Sequence, residues 1–158
     1  MAQTYLKTPL GAALIEGDSK GISRISLTSE ELPSSEKIPA ELQPAVLQLK
    51  EYFAGSLNNF DLQLNPEGTP FQKKVWLELQ KVPFGRTISY MALSKKLGDP
   101  KAIRAVAAAN GKNPLWIVVP CHRIIGSDGS LTGYAGGLWR KKWLLEHENP
   151  VKQQILFN

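Results

Sequence analysis

The single cysteine of this 158-residue chain lies in the run IVVPCHRII, residues 117–125, with a histidine beside it. Cys121 offers the softest nucleophile a protein has, and His122 is one of only two histidines. Imidazole is the side chain best suited to generating a thiolate near neutral pH. Pro120 has no amide proton and so ends strand pairing just before the thiol. Asn113, in the NP pair upstream, brings an amide able to fix the backbone around the site. These residue types permit covalent transfer to sulfur. A lone cysteine is more commonly a small buried hydrophobe, however. On a strand, moreover, adjacent side chains point to opposite faces. Cys121 and His122 can cooperate only if the backbone turns there or a water bridges them.

The elements that must hold these residues fall into two parts of different charge. Residues 1–66 carry five Lys/Arg and eight Asp/Glu, a net −3, and residues 67–158 carry fourteen against six, a net +8. The basic half suits a polyanionic partner, although a solvated basic surface has the same composition. One cysteine rules out an internal disulfide, and with two histidines it cannot make a closed zinc site. No apolar run is long enough to span a bilayer, and the N-terminal stretch lacks a signal-peptide pattern. A cytoplasmic protein without metal, membrane or nucleotide cofactor is expected.

TYLKTPLGAALIEGD and GISRISLTS read as strands joined by the turn GDSKG. AELQPAVLQLKEYFAG predicts a helix with Leu42, Val46, Leu49 and Phe53 inward and Gly55 as its stop. FDLQL predicts one more strand, and NPEGTP reads as a linker, dividing the chain into 1–66 and 67–158. A helix then starts on Pro70, with Phe71, Val75 and Leu79 on one face. Two short helices follow. Ser89 can cap the first, which ends at Gly98; Asp99 and Pro100 start the second, which ends at Gly111. The pair is either a helix-turn-helix or an ordinary helix hairpin. Its second helix, IRAVAAAN, sets Arg104 among alanines. Such a thin helix can lie against a DNA groove with Arg104 reaching into the base stack. Alternatively the alanines pack on a neighbour and Arg104 is a solvated charge. In the last helix Leu138, Trp139, Trp143 and Leu144 or Leu145 are the apolar residues, with Arg140, Lys141 and Lys142 forming the polar face. Glu146 and Glu148 near its end oppose the helix dipole, which points to another partner for an acid placed there.

At these positions the sequence resembles the O6-alkylguanine-DNA alkyltransferases. The match rests on PCHR preceded by NP, on GYAGGLWRKKWLLEHE and on FG..ISY.ALS..LG.P.A.RAV..A, and runs from about Pro70 to Glu148. Residues 1–66 agree only in layout. The resemblance implies an α+β protein, with a small RNase H-like α/β N-terminal domain followed by a mostly helical C-terminal domain carrying a winged helix-turn-helix. It implies that Cys121 accepts an alkyl group from O6-alkylguanine, and O4-alkylthymine as well, in a single irreversible turnover with base flipping. It makes His122 the acceptor of the thiol proton through a water, Glu148 its orienter, and Asn113 the clamp between recognition helix and acceptor. Tyr90 would assist the departing guanine and press on the flipped nucleotide's phosphate. Arg104 would fill the gap in the stack, and Tyr134 would pack on the flipped base. Ala135 replaces a serine found in some relatives, so only its backbone amide remains as a donor. Met91, Asp99 and Ser127 are expected as further DNA contacts, and Pro120 and Ile124 as pocket walls. The partner implied is double-stranded alkylated DNA, held by a monomer from the minor groove without sequence preference.

Three other readings share some of these features. A Cys–His–Glu hydrolase needs neither helix-turn-helix nor basic half and turns over. A lesion binder of the same fold lacks the acceptor cysteine. A DNA-binding regulator with a structural thiol binds a specific sequence.

Overall fold

The computed structural model describes residues 1–28, 30–131, 133–134 and 136–149. They form two compact units, Met1–Gly68 with Pro114–Val118, and Thr69–Asn113 with Val119 onward. The first unit is built on an antiparallel meander of β1 (Ala2–Thr8), β2 (Gly11–Asp18) and β3 (Gly21–Leu27). Burial alternates along β1, so Thr4, Leu6 and Thr8 share the inner face. The register sets Thr4 opposite Ile15 and Leu6 opposite Ala13. A 3-10 turn at Ala40–Leu42 and α1 (Gln43–Phe53) pack against β1 and β2. Leu42, Val46 and Leu49 are buried as the spacing predicts, but Tyr52 rather than Phe53 completes the inner face. Phe53 instead packs its ring on Trp116.

Two predicted strands shrink to single bridges. The expected FDLQL strand pairs only at Leu64, where Ile22 donates to the Gln63 carbonyl and receives from the Asn65 amide. That close approach requires Gly21: at φ +133° a Cβ there would stand 2.8 Å from the Gln63 oxygen. The run ending at Pro120, read as a strand from Ile117, likewise pairs with β3 only upstream of that start, where Leu115 bridges Ile25. It leaves the sheet because Ile117 adopts φ +71° and the Val118 amide turns back to the Trp116 carbonyl. A β-branched residue there is a steric outlier, of order 1–3 kcal/mol.

The second unit is mostly helical. α2 (Pro70–Leu79) opens with a full capping box, in which Thr69 and Gln72 exchange side-chain and backbone hydrogen bonds. Its inner face is Val75, Trp76 and Leu79, whereas Phe71, expected inside, is exposed. The Trp76 indole donates to the Ala109 carbonyl at 2.8 Å, tying α2 to α4 (Ile103–Gly111). α3 (Tyr90–Lys96) is capped by Ser89, as the sequence indicates. Gly98 turns the chain at φ +88°, and Asp99 caps a 3-10 turn, Pro100–Ala102, that feeds α4. α3 packs on α4, giving the helix-turn-helix. A two-residue parallel pair joins β4 (Ile88–Ser89) to β5 (Ile124–Ile125), and α5 (Leu138–His147) closes the unit. No helix among the described residues is long and apolar enough to cross a membrane.

Candidate active site

Cys121 is not on a strand. Cys121–Arg123 form a 3-10 turn, preceded by Pro120 at φ −80° and ψ 65°, where the Cys121 amide reaches back to the Val119 carbonyl. These angles are those of an inverse γ-turn, which proline favours. The turn removes the objection that neighbouring side chains must diverge. Immediately afterwards β5 pairs with β4, and β4 ends at Ser89, the cap of α3. The acceptor turn and the start of α3, where Tyr90 sits, are therefore connected through four backbone residues.

Asn113 donates from Nδ2 to the Val119 carbonyl at 2.8 Å, closing the loop between α4 and the acceptor turn. The Cys121 side chain is 8% exposed. Burial pushes its thiol pKa up, while a hydrogen bond with Asn113, the charge of Lys141 and a hydrogen bond with Tyr134 pull the other way without cancelling it. At neutral pH the resting group is therefore a thiol, and it must lose its proton as it attacks.

The expected base lies next to it in sequence. His122 is wholly buried, and its Nε2 stands 2.7 Å from Glu148 Oε2. Arg123 forks onto the same carboxylate, with Nε donating to Oε1 at 2.7 Å and Nη2 to Oε2 at 3.1 Å. Its third arm, Nη1, donates to the Val82 carbonyl at 2.8 Å, and the guanidinium lies over Phe84, 5.9 Å from the ring centre. Burial opposes the charged form of Glu148, yet the bonds and charges of His122 and Arg123 outweigh it and hold the carboxyl well below the usual range. Burial also dominates at His122, lowering its pKa against the opposing pull of Glu148. The ring is therefore neutral, with its proton on Nε2 facing the carboxylate. Nδ1 is left as a buried acceptor without a hydrogen-bond partner among the described residues.

Glu148 thus has the second partner that its position at the end of α5 suggested. The polar face assigned to α5 needs correction. Lys141 is fully buried, whereas Leu138 and Trp139 are exposed, Trp139 at 57%. Burial lowers the Lys141 pKa, and the neighbouring Cys121 sulfur opposes that shift. The sequence displayed Lys141 as one of three consecutive cations, so its burial had no signal of its own. Arg123 was visible in PCHR but gave no sign of gripping Glu148, 25 residues away.

The remaining predicted residues are less tightly connected. Pro120 and Ile124 are buried beside the acceptor, and Tyr134 is half-buried. Ala135 lies outside the described residues. Tyr90, the first residue of α3, and Met91 are half-buried; Asp99, Arg104 and Ser127 are exposed. Asp99 also spends a carboxylate oxygen on the Lys101 amide. On α4, Ala105, Ala107 and Ala108 are exposed with Arg104, while Val106, Ala109 and Asn110 face inward. The thin, open face is present, and the alternative of a buried alanine seam fails for these three alanines.

Known proteins match this chain along nearly its whole length. Residues 70–150 match the DNA binding domain of 6-O-methylguanine DNA methyltransferase, and residues 1–66 match its ribonuclease-like domain. A methylated-DNA–protein-cysteine methyltransferase of Methanosarcina acetivorans is 44% identical, over 94% of this chain and 98% of its own length. The crystal structure of Mycobacterium tuberculosis O6-methylguanine methyltransferase superposes with a TM-score of 0.81 at 38% identity, covering 98% of this chain and 97% of the other. The M. tuberculosis OGT solved in complex with DNA gives 0.82 at 40% identity, covering 98% of each chain. With both family domains matched in order and a relative this similar over nearly its whole length, the chain belongs to the 6-O-methylguanine DNA methyltransferase family.

Proposed function

We propose that the protein repairs alkylated DNA by moving the alkyl group of O6-alkylguanine, and of O4-alkylthymine, to Cys121, once per molecule. The observation that carries this reading is the buried Cys121 thiol, followed in the same turn by a neutral His122 whose Nε2 is committed to Glu148 and whose Nδ1 is open.

The thiol proton passes through a water to His122 Nδ1, and Glu148 stabilises the imidazolium that forms. Sulfur attacks the alkyl carbon as the carbon–oxygen bond breaks and its electron pair returns to the base. The guanine anion is a poor leaving group, so a proton donated by the Tyr90 phenol completes the departure. The product thioether has no carbonyl for water to attack, so the protein stays alkylated and turnover ends. Fitting the new group into a packed site costs about 1–3 kcal/mol.

The target carbon lies inside the duplex, so the base must be flipped out. Arg104, exposed on the alanine face of α4, fills the gap, and that thin face approaches the minor groove. Tyr134, Pro120 and Ile124 wall the pocket, and Met91, Asp99 and Ser127 contact the DNA backbone. Asn113 steadies the acceptor turn. In this reading residues 1–66 are scaffold, 67–158 hold DNA and acceptor, and a monomer works in the cytoplasm without a cofactor. Binding is independent of sequence and weakens with salt, because phosphate contacts dominate it.

Intact-mass measurement after mixing with a duplex containing O6-methylguanine tests the reading. The expected result is a stoichiometric gain of one methylene, mapped to Cys121 and absent in Cys121→Ala. An unchanged mass beside an intact lesion would refute it.

A further inference from the structure

Arg123 lies outside the transfer just described, yet all three arms of its guanidinium are hydrogen-bonded within the site. We propose that Arg123 is a positioning residue whose fixed charge, forked onto Glu148, keeps His122 neutral and so leaves Nδ1 ready to receive the Cys121 proton. The inference deepens the alkyl-acceptor reading and rests on it.

The argument starts from the shared oxygen. Glu148 Oε2 accepts from both His122 Nε2 and Arg123 Nη2, and Oε1 accepts from Arg123 Nε. A buried carboxylate requires one compensating positive charge, and two cations stand in reach of it. Arg123 is always charged, so it meets the requirement and His122 need not. Without Arg123, a proton on His122 would become the cheapest way to neutralise Glu148. Nδ1 would then be occupied before the thiol could use it. The charged groups acting on His122 are Glu148 and Lys141 from the α5 side and Arg123 from its own turn; Lys141, like Arg123, opposes a second positive charge. The Cys121 thiol, neutral at rest, adds no charge.

Arg123 does a second job through its third arm. Nη1 holds the Val82 carbonyl and the guanidinium covers Phe84, so the segment leading into β4 is fixed to the carboxylate. Directly after Arg123, β5 pairs with β4, whose last residue caps the helix of Tyr90. A lysine would keep the charge but could not span two carboxylate oxygens and a carbonyl at once.

Two measurements test this. In the wild type, nitrogen NMR of labelled imidazoles should show His122 neutral at pH 7 with its proton on Nε2; His147→Gln assigns the other histidine. A charged His122 at pH 7 overturns the proposal, and this readout needs no DNA and no variant of Arg123. The second is the pH profile of methyl transfer. Arg123→Gln should move its acid limb up by about one unit or more, the usual effect of removing a neighbouring like charge from a buried imidazole. Arg123→Lys should slow transfer while leaving the limb within a few tenths of its place. A folded Arg123→Gln whose limb stays put means the residue only props the fold, and overturns the proposal. If Arg123→Gln does not fold, the Arg123→Lys limb and the wild-type imidazole signal still decide: a limb moved in Arg123→Lys refutes control by charge. A wild type that takes up no methyl group refutes the alkyl-acceptor reading instead, and His122 is still read directly.

Discussion

The meander of the first unit and the acceptor turn of the second are secured in opposite ways. In the meander, Leu6, Ala13, Ile15 and Ile25 are buried, and two long antiparallel ladders pair the backbone. Each large aliphatic side chain there contributes about 1.5–3 kcal/mol by leaving water. The acceptor turn has little regular pairing. It buries His122, Arg123, Lys141 and Glu148, and close by in sequence Ile117 sits at φ +71°. Such a region depends on its charged groups being matched, because one missing partner exposes the full cost of burying the others. The sheet tolerates damage in increments, while the turn is coupled, and coupling is what a site needs if one proton is to end on one nitrogen.

The largest effect expected from this contrast is in stability. Glu148→Ala strands the Arg123 guanidinium in a buried place and should cost about 3–5 kcal/mol in denaturant unfolding. Ile15→Val, in the centre of the meander, should cost only about 0.5–1.5 kcal/mol. Equal losses would show that the turn is no more coupled than the sheet. Pairing Glu148→Leu with Arg123→Met should restore much of the loss, since an apolar pair of similar volume does not need compensation. Purely additive effects of the two changes would break the comparison.

Acid should also separate the two regions. His122 is buried neutral with a lowered pKa, so below the ordinary histidine range the unfolded chain binds a proton that the folded one refuses. Stability therefore falls as pH drops through that range. Glu148, whose folded pKa is depressed, stabilises the fold above the ordinary carboxylate range and adds a second loss in the same direction at lower pH. Unfolding midpoints measured from pH 7 downward should decline in these two steps. His122→Gln should remove the first step and keep the second. A first step that survives in His122→Gln would assign it to another group.

A smaller effect is expected at α4, whose exposed face touches neither network. Arg104→Ala should slow repair of a duplex by about tenfold, the equivalent of about 1.4 kcal/mol of stack filling. Reaction with free O6-benzylguanine base should be unchanged. Equal slowing on both would move Arg104 from the DNA face into the acceptor chemistry.

Much of this was legible in the chain because the signals were local. Ser89, Gly98, Asp99 and Pro100 announce the helix-turn-helix by capping and turn chemistry that acts within a few residues. The strand-like runs on either side of the GDSKG turn give the meander in the same way. The misreadings have a common physical origin. Whether 115–119 continues as a strand is decided by the backbone of Ile117 and not by its apolar side chains. Whether Lys141 is inside depends on what surrounds α5 and not on its neighbours in sequence. The fork of Arg123 on Glu148 closes across 25 residues, and no spacing rule encodes it. Local rules therefore locate Cys121 and His122, while the charges that set their protonation are fixed by tertiary placement alone.

The smallest predicted effect gives the most direct check on how buried polar groups are treated in the two regions. Thr4 sits on the inner face of β1, 1% exposed, and its Oγ1 has no hydrogen-bond partner among the described residues. Opposite it is Ile15, an apolar neighbour with nothing to offer the hydroxyl. A buried hydroxyl without a partner costs about 1–3 kcal/mol, of which a hydroxyl held near a strand backbone recovers part. Thr4→Val keeps the branched shape and β preference while removing the oxygen. It should leave stability unchanged or raise it by up to about 1 kcal/mol, with methyl transfer unaffected. The same operation in the acceptor turn, deleting one polar group and keeping its shape, is Glu148→Leu alone, which should destabilise severely. If Thr4→Val also destabilised by more than about 1 kcal/mol, the hydroxyl would be bonded within the scaffold, and burying polar groups in matched sets would be a property of both units.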